Sequence, residues 1–295
     1  MGYNILSCGT NIGNTGLQDC VEDFGGWDSI VEVPADFEID TQANALLEAT
    51  WVTLFNAAKT SRGYKLFSNF IVEPNSEDPV IETGTYGDEE IAREGKSRLN
   101  IQLKRTSLYN HKELRTHNGQ KGRGFFVFTK NGYILGKSLD GVKFLPIPLS
   151  KLYIGEQSIP LGDTFPRTSI QIEWEKTHWN DYGVWVKPTA FDPELLESVK
   201  DVTLSGTVGA TGMTLTVVGA ADSVGVAGLI AANFKLVNDA SPLVDIAVVV
   251  GTDNLDGTYV LTWADQTGNN VTFTLFDQPA GTNGYEATNS LTAAL

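Results

Sequence analysis

The chain has 295 residues, 41% of them hydrophobic and 19% charged, with a formal net charge of −15. That length gives about two domains. Its two cysteines exclude a disulfide framework or a zinc-ribbon array, and its acidity argues against a nucleic-acid-binding domain, which is ordinarily basic throughout. No window approaches the roughly 20 apolar residues of a membrane span. The opening MGYNILSCGT lacks a basic region followed by an apolar run, and Leu6 stands where N-myristoylation wants Ser or Thr. Neither membrane insertion nor Sec export is expected.

The charge is segregated along the chain. Residues 1–92 carry 16 acidic and 3 basic groups, net −13, and residues 93–151 carry 13 basic and 3 acidic, net +10. Residues 152–200 hold 4 basic and 8 acidic groups, net −4, while residues 201–295 set Lys235 against 9 acids, net −8. Two explanations stand: solvated strand faces and loops, or a basic surface on one subunit meeting an acidic surface on the next.

In chain order, SCGTNIGNTGLQDC comes first, with Gly9, Gly13 and Gly16 between Cys8 and Cys20. Its glycines follow neither the G-x-G-x-x-G nor the P-loop spacing, so they read as turns in an extended arm over residues 1–40. The end of that arm, DSIVEVPADFEID, alternates apolar and polar residues as a short extended segment does. Next, TQANALLEATWVTLFNAAKTSRG places Ala45, Leu46, Ala49, Val52, Leu54, Phe55 and Ala58 at helical spacing between an N-cap at Thr41 and a stop at Gly63. One main helix over about 41–60 is predicted, covering a sheet face.

Beyond Gly63 the period becomes two. Runs such as SRLNIQLKR, GRGFFVFTK, SIQIEWEK and YGVWVKP, separated by turn residues, predict an antiparallel sandwich or barrel. Asn131-Gly132 is a strong hairpin signal, and a second hairpin is predicted to turn near residues 178–181. Residues 73–95 are polar and too long for a tight turn, so they read as an interaction loop. Asp192 and Pro193 open a short helical turn in a linker at 191–200. From 201 to 295 the composition shifts to Val, Thr, Gly and Ala, with strands expected at 202–208, 212–219, 233–237, 243–250, 258–264 and 270–276.

That last module resembles an immunoglobulin-like sandwich of the bacterial or phage type. Asp256-Gly257-Thr258-Tyr259 precedes an alternating strand with Tyr259, Leu261 and Trp263 on one face, which looks like a tyrosine corner at Asp256, Gly257 and Tyr259. The antibody-type cysteine pair is missing.

Little chemistry is visible. His111, His117 and His178 have no metal-ligand spacing, GTDNLDG is an incomplete calcium loop, and no G-x-S-x-G occurs. Glu173 and Glu175 flank Trp174 on a predicted strand, so they share a face, either as a paired-carboxylate site or as a wet strand face. Trp174, Trp179, Tyr182 and Trp185 form either a glycan-stacking platform or sheet core plus a hairpin tip. Arg93, Lys96, Arg98, Lys104, Arg105, Lys112, Arg115, Lys121 and Arg123 are candidate subunit contacts in preference to a phosphate track.

The order of arm, helix, polar loop, hairpin series and DGTY-bearing module resembles a tailed-bacteriophage virion protein, most like a tail tube subunit with a C-terminal Ig-like domain. The resemblance implies stacked rings, usually hexameric, that conduct genomic DNA without sequence-specific binding, contacts with other virion proteins, and weak contact with host glycans. It implies virion localisation, no cofactor and no enzymatic role. An acidic subunit suits a lumen through which phosphates must slide. Assembly in the host cytoplasm favours free thiols at Cys8 and Cys20, although a bridge between them would contribute roughly 3 kcal/mol. A head protein, a carbohydrate-binding adhesin and a glycosidase built on Glu173 and Glu175 remain as rivals.

Overall fold

A computed structural model of the chain describes residues 25–57, 61–66, 70–74, 77–83, 89–93, 95–104, 107–158, 166–239, 244–275 and 284–295. Cys8, Cys20 and their glycines lie outside these residues, as does Arg105. The chain divides into two units, Met1–Leu54 with Lys59–Leu196, and Phe55–Ala58 with Glu197–Leu295. The fold is mainly β, in several antiparallel sheets.

The first unit contains β1 (Trp27–Pro34), α1 (Gln42–Ala45), α2 (Glu48–Phe55), β2 (Tyr64–Lys65), β3 (Phe70–Pro74), β4 (Val80–Thr83), β5 (Glu89–Arg93) and β6 (Lys96–Lys104). It continues with α3 (Leu108–Arg115), β7 (Arg123–Thr129), β8 (Ile134–Lys137), β9 (Ile147–Pro148), β10 (Lys151–Gln157), β11 (Arg167–Glu175), α4 (Lys176–Asn180) and β12 (Gly183–Val186). One sheet has the order β12-β8-β7-β1-β2, with β9 also on β7, and a second has the order β10-β11-β6-β3. Ile30, Phe125, Val127 and Leu135 from the first pack against Leu99, Ile101, Leu103, Ile170 and Ile172 from the second. Two sheets sharing one apolar core make this a sandwich.

β7 is buried along its whole length. Its run GFFVF serves both faces: Phe125 and Val127 face the inter-sheet core, and Phe126 and Phe128 meet Trp51 edge-on at 5.2 and 5.3 Å. β1 pairs beside it, and Ile30, Val31, Glu32 and Val33 are all buried. Residues 27–34 are therefore an interior strand and not part of an extended arm.

The helix expected over 41–60 is two pieces, α1 and α2. The break comes from side chains, not from a breaker residue. Trp51 Nε1 donates to Ala45 O at 3.0 Å and Thr50 Oγ1 donates to Asn44 O at 2.7 Å, so groups from the second piece satisfy carbonyls that a continuous helix would use.

At Asn131-Gly132 the predicted hairpin forms between β7 and β8, with Gly132 at φ +76° and its N–H on Thr129 O. The second expected hairpin does not. β11 belongs to one sheet, and β12 pairs with β8 in the other, so α4 carries the chain between layers. Gly183 starts β12 because a Cβ there would lie 2.4 Å from Trp179 O.

The second unit contains β13 (Lys200–Ser205), β14 (Gly212–Gly219), β15 (Phe234–Asn238), β16 (Val244–Ile246), β17 (Val249–Asp253), β18 (Thr258–Thr262), β19 (Asn270–Leu275), β20 (Tyr285–Ala287) and β21 (Leu291–Ala294). Its sheets have the orders β17-β18-β14-β13-β20 and β16-β15-β19-β21, around a core that includes Leu215, Leu236, Tyr259 and Phe273. Tyr259, Leu261 and Trp263 are buried, as their alternation requires, while Val260 is exposed. The single strand expected at 243–250 is two strands in different sheets.

Candidate functional site

Residues 73–95, expected as a loop, contain the hairpin β4–β5. Ile81 pairs with Ile91 and Glu82 with Glu90. Val80, Ile81 and Ile91 are 44, 53 and 63% exposed, so the strands present apolar surface while the sequence around them is acidic. Such a hairpin cannot hold itself up by burial; its base is anchored instead. Glu77 N donates to Lys96 O and Glu77 Oε2 accepts from Lys96 N. Gly95 fits below because a Cβ there would lie 2.4 Å from Glu77 O.

Charges complete the anchor on the outer face of the β10-β11-β6-β3 sheet. Arg98 bonds both Glu77 and Glu173, the latter at 2.8 Å. Lys96 reaches Glu173 at 3.0 Å and Glu175 at 3.6 Å, and Lys176 Nζ donates to Glu77 O at 2.6 Å. Lys96 and Arg98, read from sequence as subunit contacts, are thus engaged within the chain. Burial works to raise the Glu173 carboxyl, but Arg98 and Lys96 outweigh it and hold it below its ordinary 4.5. A carboxylate held ionised in this way is unsuited to donate a proton as a glycosidase acid.

The other candidate cations separate into distinct environments. Lys104 is exposed at the end of β6, and Lys112, Arg115 and Lys121 are exposed on and after α3. Arg93 lies on β5. Arg123 is buried, with Nε 3.0 Å from Glu32 Oε1, so it is not available to another subunit. Glu32 is fully buried, and its Oε2 stands 2.7 Å from His117 Nδ1, within ion-pair distance though outside hydrogen-bond geometry. Tyr64 packs edge-on to His117 at 5.0 Å, and the Arg123 guanidinium lies 5.7 Å over the same ring.

α3 was not visible in the period-two reading, although Ser107 is an N-cap signal: its side chain accepts from Asn110 N at 3.1 Å. The helix leads to Asn118, whose amide donates to Ile154 O at 3.0 Å and accepts from Ile154 N at 2.6 Å. Asn118 thereby occupies the outward backbone groups of edge strand β10, a local block to strand addition. No second partner strand for β3, at the opposite edge, is present among the described residues.

Of the aromatic cluster, Trp174 is core and Trp179 and Trp185 pack half-buried against it. Trp174 is buried, 5.4 Å from Phe125 and 6.5 Å from Trp27. Trp185 packs edge-on to Tyr133 at 5.2 Å, and only Tyr182 of the four is exposed. A sugar-stacking platform needs open ring faces, which Trp174 lacks.

In the second unit the predicted tyrosine corner has a different geometry. Tyr259 OH donates to Val226 O at 2.6 Å and accepts from Leu229 N at 3.2 Å. These groups are about 30 residues upstream, not the few of a tyrosine corner, so the phenol ties β18 to the segment crossing between sheets. Asp256 Oδ1 accepts from Thr258 N and Oγ1, and Gly257 takes φ +88°. GTDNLDG is used as a turn, with Asp253 accepting from Leu255 N and Gly228 N. Among the described residues no group of three His, Cys, Asp or Glu side chains gathers to hold a metal.

Acid sensitivity follows from two histidines and from four carboxyls held low by their hydrogen bonds and charges: Glu173, Asp140, Asp256 and Asp265. Burial first, then Arg115, lowers His111 from 6.5, and burial, then Lys137, lowers His178 from 6.5 against the pull of Glu175. Glu173 is lowered from 4.5. A folded pKa below the unfolded one stabilises fully above the unfolded value, and that stability is lost as pH falls through the folded value. Denaturation midpoints should therefore begin to drop below about pH 6.5 and fall faster below about 4.5, with Glu173→Gln flattening the lower limb. A midpoint constant from pH 8 to pH 4 contradicts this.

No protein-family model and no curated protein sequence matches the chain.

Proposed function

We propose that the chain is a self-assembling virion structural subunit of a tailed bacteriophage, building the tail tube that conducts DNA and carrying an Ig-like module as an appendage. The observation that carries this reading is a pair of complementary surfaces within one unit. Leaving out the internally bonded Glu77, residues 78–93 hold five acids against Arg93, net −4, and Val80, Ile81 and Ile91 are exposed. On and around α3, Lys104, Lys112, Arg115 and Lys121 are exposed against Glu113, net +3, and Leu108 is 61% exposed. The register opposes Glu82 to Glu90, which disfavours an isolated hairpin and favours one seated on cations. Hairpin on one copy and α3 on the next make a head-to-tail contact that repeats into rings or tubes.

Strand order supports the appended module. With β13 to β19 taken as A, B, C, C′, D, E and F, the sheets partition as A, B, E, D and C′, C, F. β21 sits beside β19 as strand G. That partition supports reading the module as immunoglobulin-like. On this reading Tyr259 lies on E, which explains why it makes a different bond from the F-strand tyrosine corner.

Negative-stain microscopy of the purified chain, with light scattering over a concentration series, tests the proposal. Rings or tubes are expected. Closed shells would move the protein to the head, and a monomer at every concentration would overturn self-assembly.

A further inference from the structure

β8 is buried along all four of its residues, and the last of them, Lys137, is 8% exposed. A lysine buried to that degree is ordinarily paired with an acid. Here burial alone acts on the amine, lowering it from 10.5 with no charge or hydrogen bond among its causes. The buried polar atoms that solvent cannot reach and that lack a partner belong to Ser29, Glu32, His117 and Trp174. Nζ of Lys137 is not one of them, so the residue's remaining exposure reaches the amine.

The surroundings explain why no acid meets it. Lys137 shares a face of β8 with Leu135, two positions earlier, which belongs to the apolar core between the sheets. Across the ladder it opposes Gly183, which has no side chain to offer, and the Trp179 ring covers that glycine, with Cε3 2.9 Å from where a Cβ would stand. On α4 and just before it, His178 and Glu175 are the ionisable neighbours: Lys137 helps to lower His178, and Glu175 pulls it the other way. Glu175 is engaged by Lys96 and Ser150. An ammonium in this place sheds water and gains no acceptor, which favours the neutral amine. That is the nucleophilic form used by Schiff-base lysines.

We infer that Lys137 is a covalent site for a small uncharged aldehyde. Nζ adds to the carbonyl carbon to form the C–N bond, and one N–H proton passes to the oxygen. The resulting hydroxyl leaves as water with the second N–H proton, and an imine remains. No oxidant or reductant is consumed. The narrow opening at Nζ limits the size of the aldehyde, and the apolar walls disfavour a charged one. The site lies within the first unit and does not depend on the assembly role.

The test treats the full chain at neutral pH with one equivalent of propanal and cyanoborohydride, which fixes the imine, and maps the label by peptide mass spectrometry. Most of the label should fall on Lys137, one of 14 lysines, ahead of the exposed Lys104, Lys112 and Lys121. The preference should vanish in denaturant, and Lys137 should approach its full rate at a lower pH than the exposed lysines do. Lys137→Met should lose the fast label and keep the slow ones; the readouts on the unmodified chain stand whether or not that variant folds. Label spread evenly over the lysines, a rate at Lys137 that rises with pH in parallel with the others, or faster labelling by glyoxylate, a charged aldehyde, would overturn the inference.

Discussion

Glu32→Ala should lower the unfolding free energy of the first unit by about 3–5 kcal/mol, the cost of leaving a buried charge without its partner. The Arg123 side chain would remain in the interior, beside Tyr64 and His117, with its carboxylate gone. At about 2–4 °C per kcal/mol for a unit of this size, the thermal midpoint should fall by roughly 6–20 °C. Fluorescence reports this unit selectively, because Trp27, Trp51, Trp174, Trp179 and Trp185 belong to it and only Trp263 to the other. The double variant Glu32→Leu, Arg123→Leu should recover most of the loss, since an apolar pair of similar volume often matches a buried ion pair. A loss below about 1 kcal/mol in Glu32→Ala, which is the size of a surface pair, would show that the charge is relieved in another way.

How much of this was legible in the sequence depends on how local the cause is. The turn at Asn131-Gly132 was readable because Gly132 needs its positive φ whatever surrounds it. The alternation of Tyr259, Leu261 and Trp263 was readable because a strand with one buried face must alternate. The break between α1 and α2 was not, because Trp51 and Thr50 make it with ordinary helix-compatible residues six positions downstream. Nor could the hairpin at 178–181 be rejected, since β12 chooses β8 over β11 by packing and not by turn chemistry.

The candidate site divides along the same line. Sequence identified a run of cations but treated them alike. Arg123 lies inside because Glu32, 91 positions away in the chain, meets it there. Lys96 and Arg98 are held by Glu173 and Glu77. The hairpin at β4–β5 escaped notice because its exposed strands keep polar residues at many positions, which erases the contrast that marks a half-buried strand.

Ile81→Ser with Ile91→Ser should abolish assembly while leaving the fold intact. Both side chains are more than half exposed in the single chain, so their loss removes little from its stability. Seated against a second copy, each contributes about 1 kcal/mol or more, since full burial of an isoleucine is worth roughly 1.5–3 kcal/mol. Losing about 2–3 kcal/mol at one contact weakens it some 30- to 150-fold, and a ring of the proposed kind would repeat that loss at every interface. In the proposed contact the apolar pair would supply the affinity and charge the register. Glu82→Lys should thus also impair assembly, and Lys112→Glu on the opposing surface should restore it in part, with both single variants unfolding at the parent's midpoint. Light scattering at fixed salt reads all four chains. Rescue by the reversed charge cannot come from a change in folding, because Glu82 and Lys112 are both exposed on separate elements of one copy. If the paired isoleucine variant still assembles at the parent's concentration, or if the reversal fails to rescue, the hairpin and α3 are not the two halves of the contact.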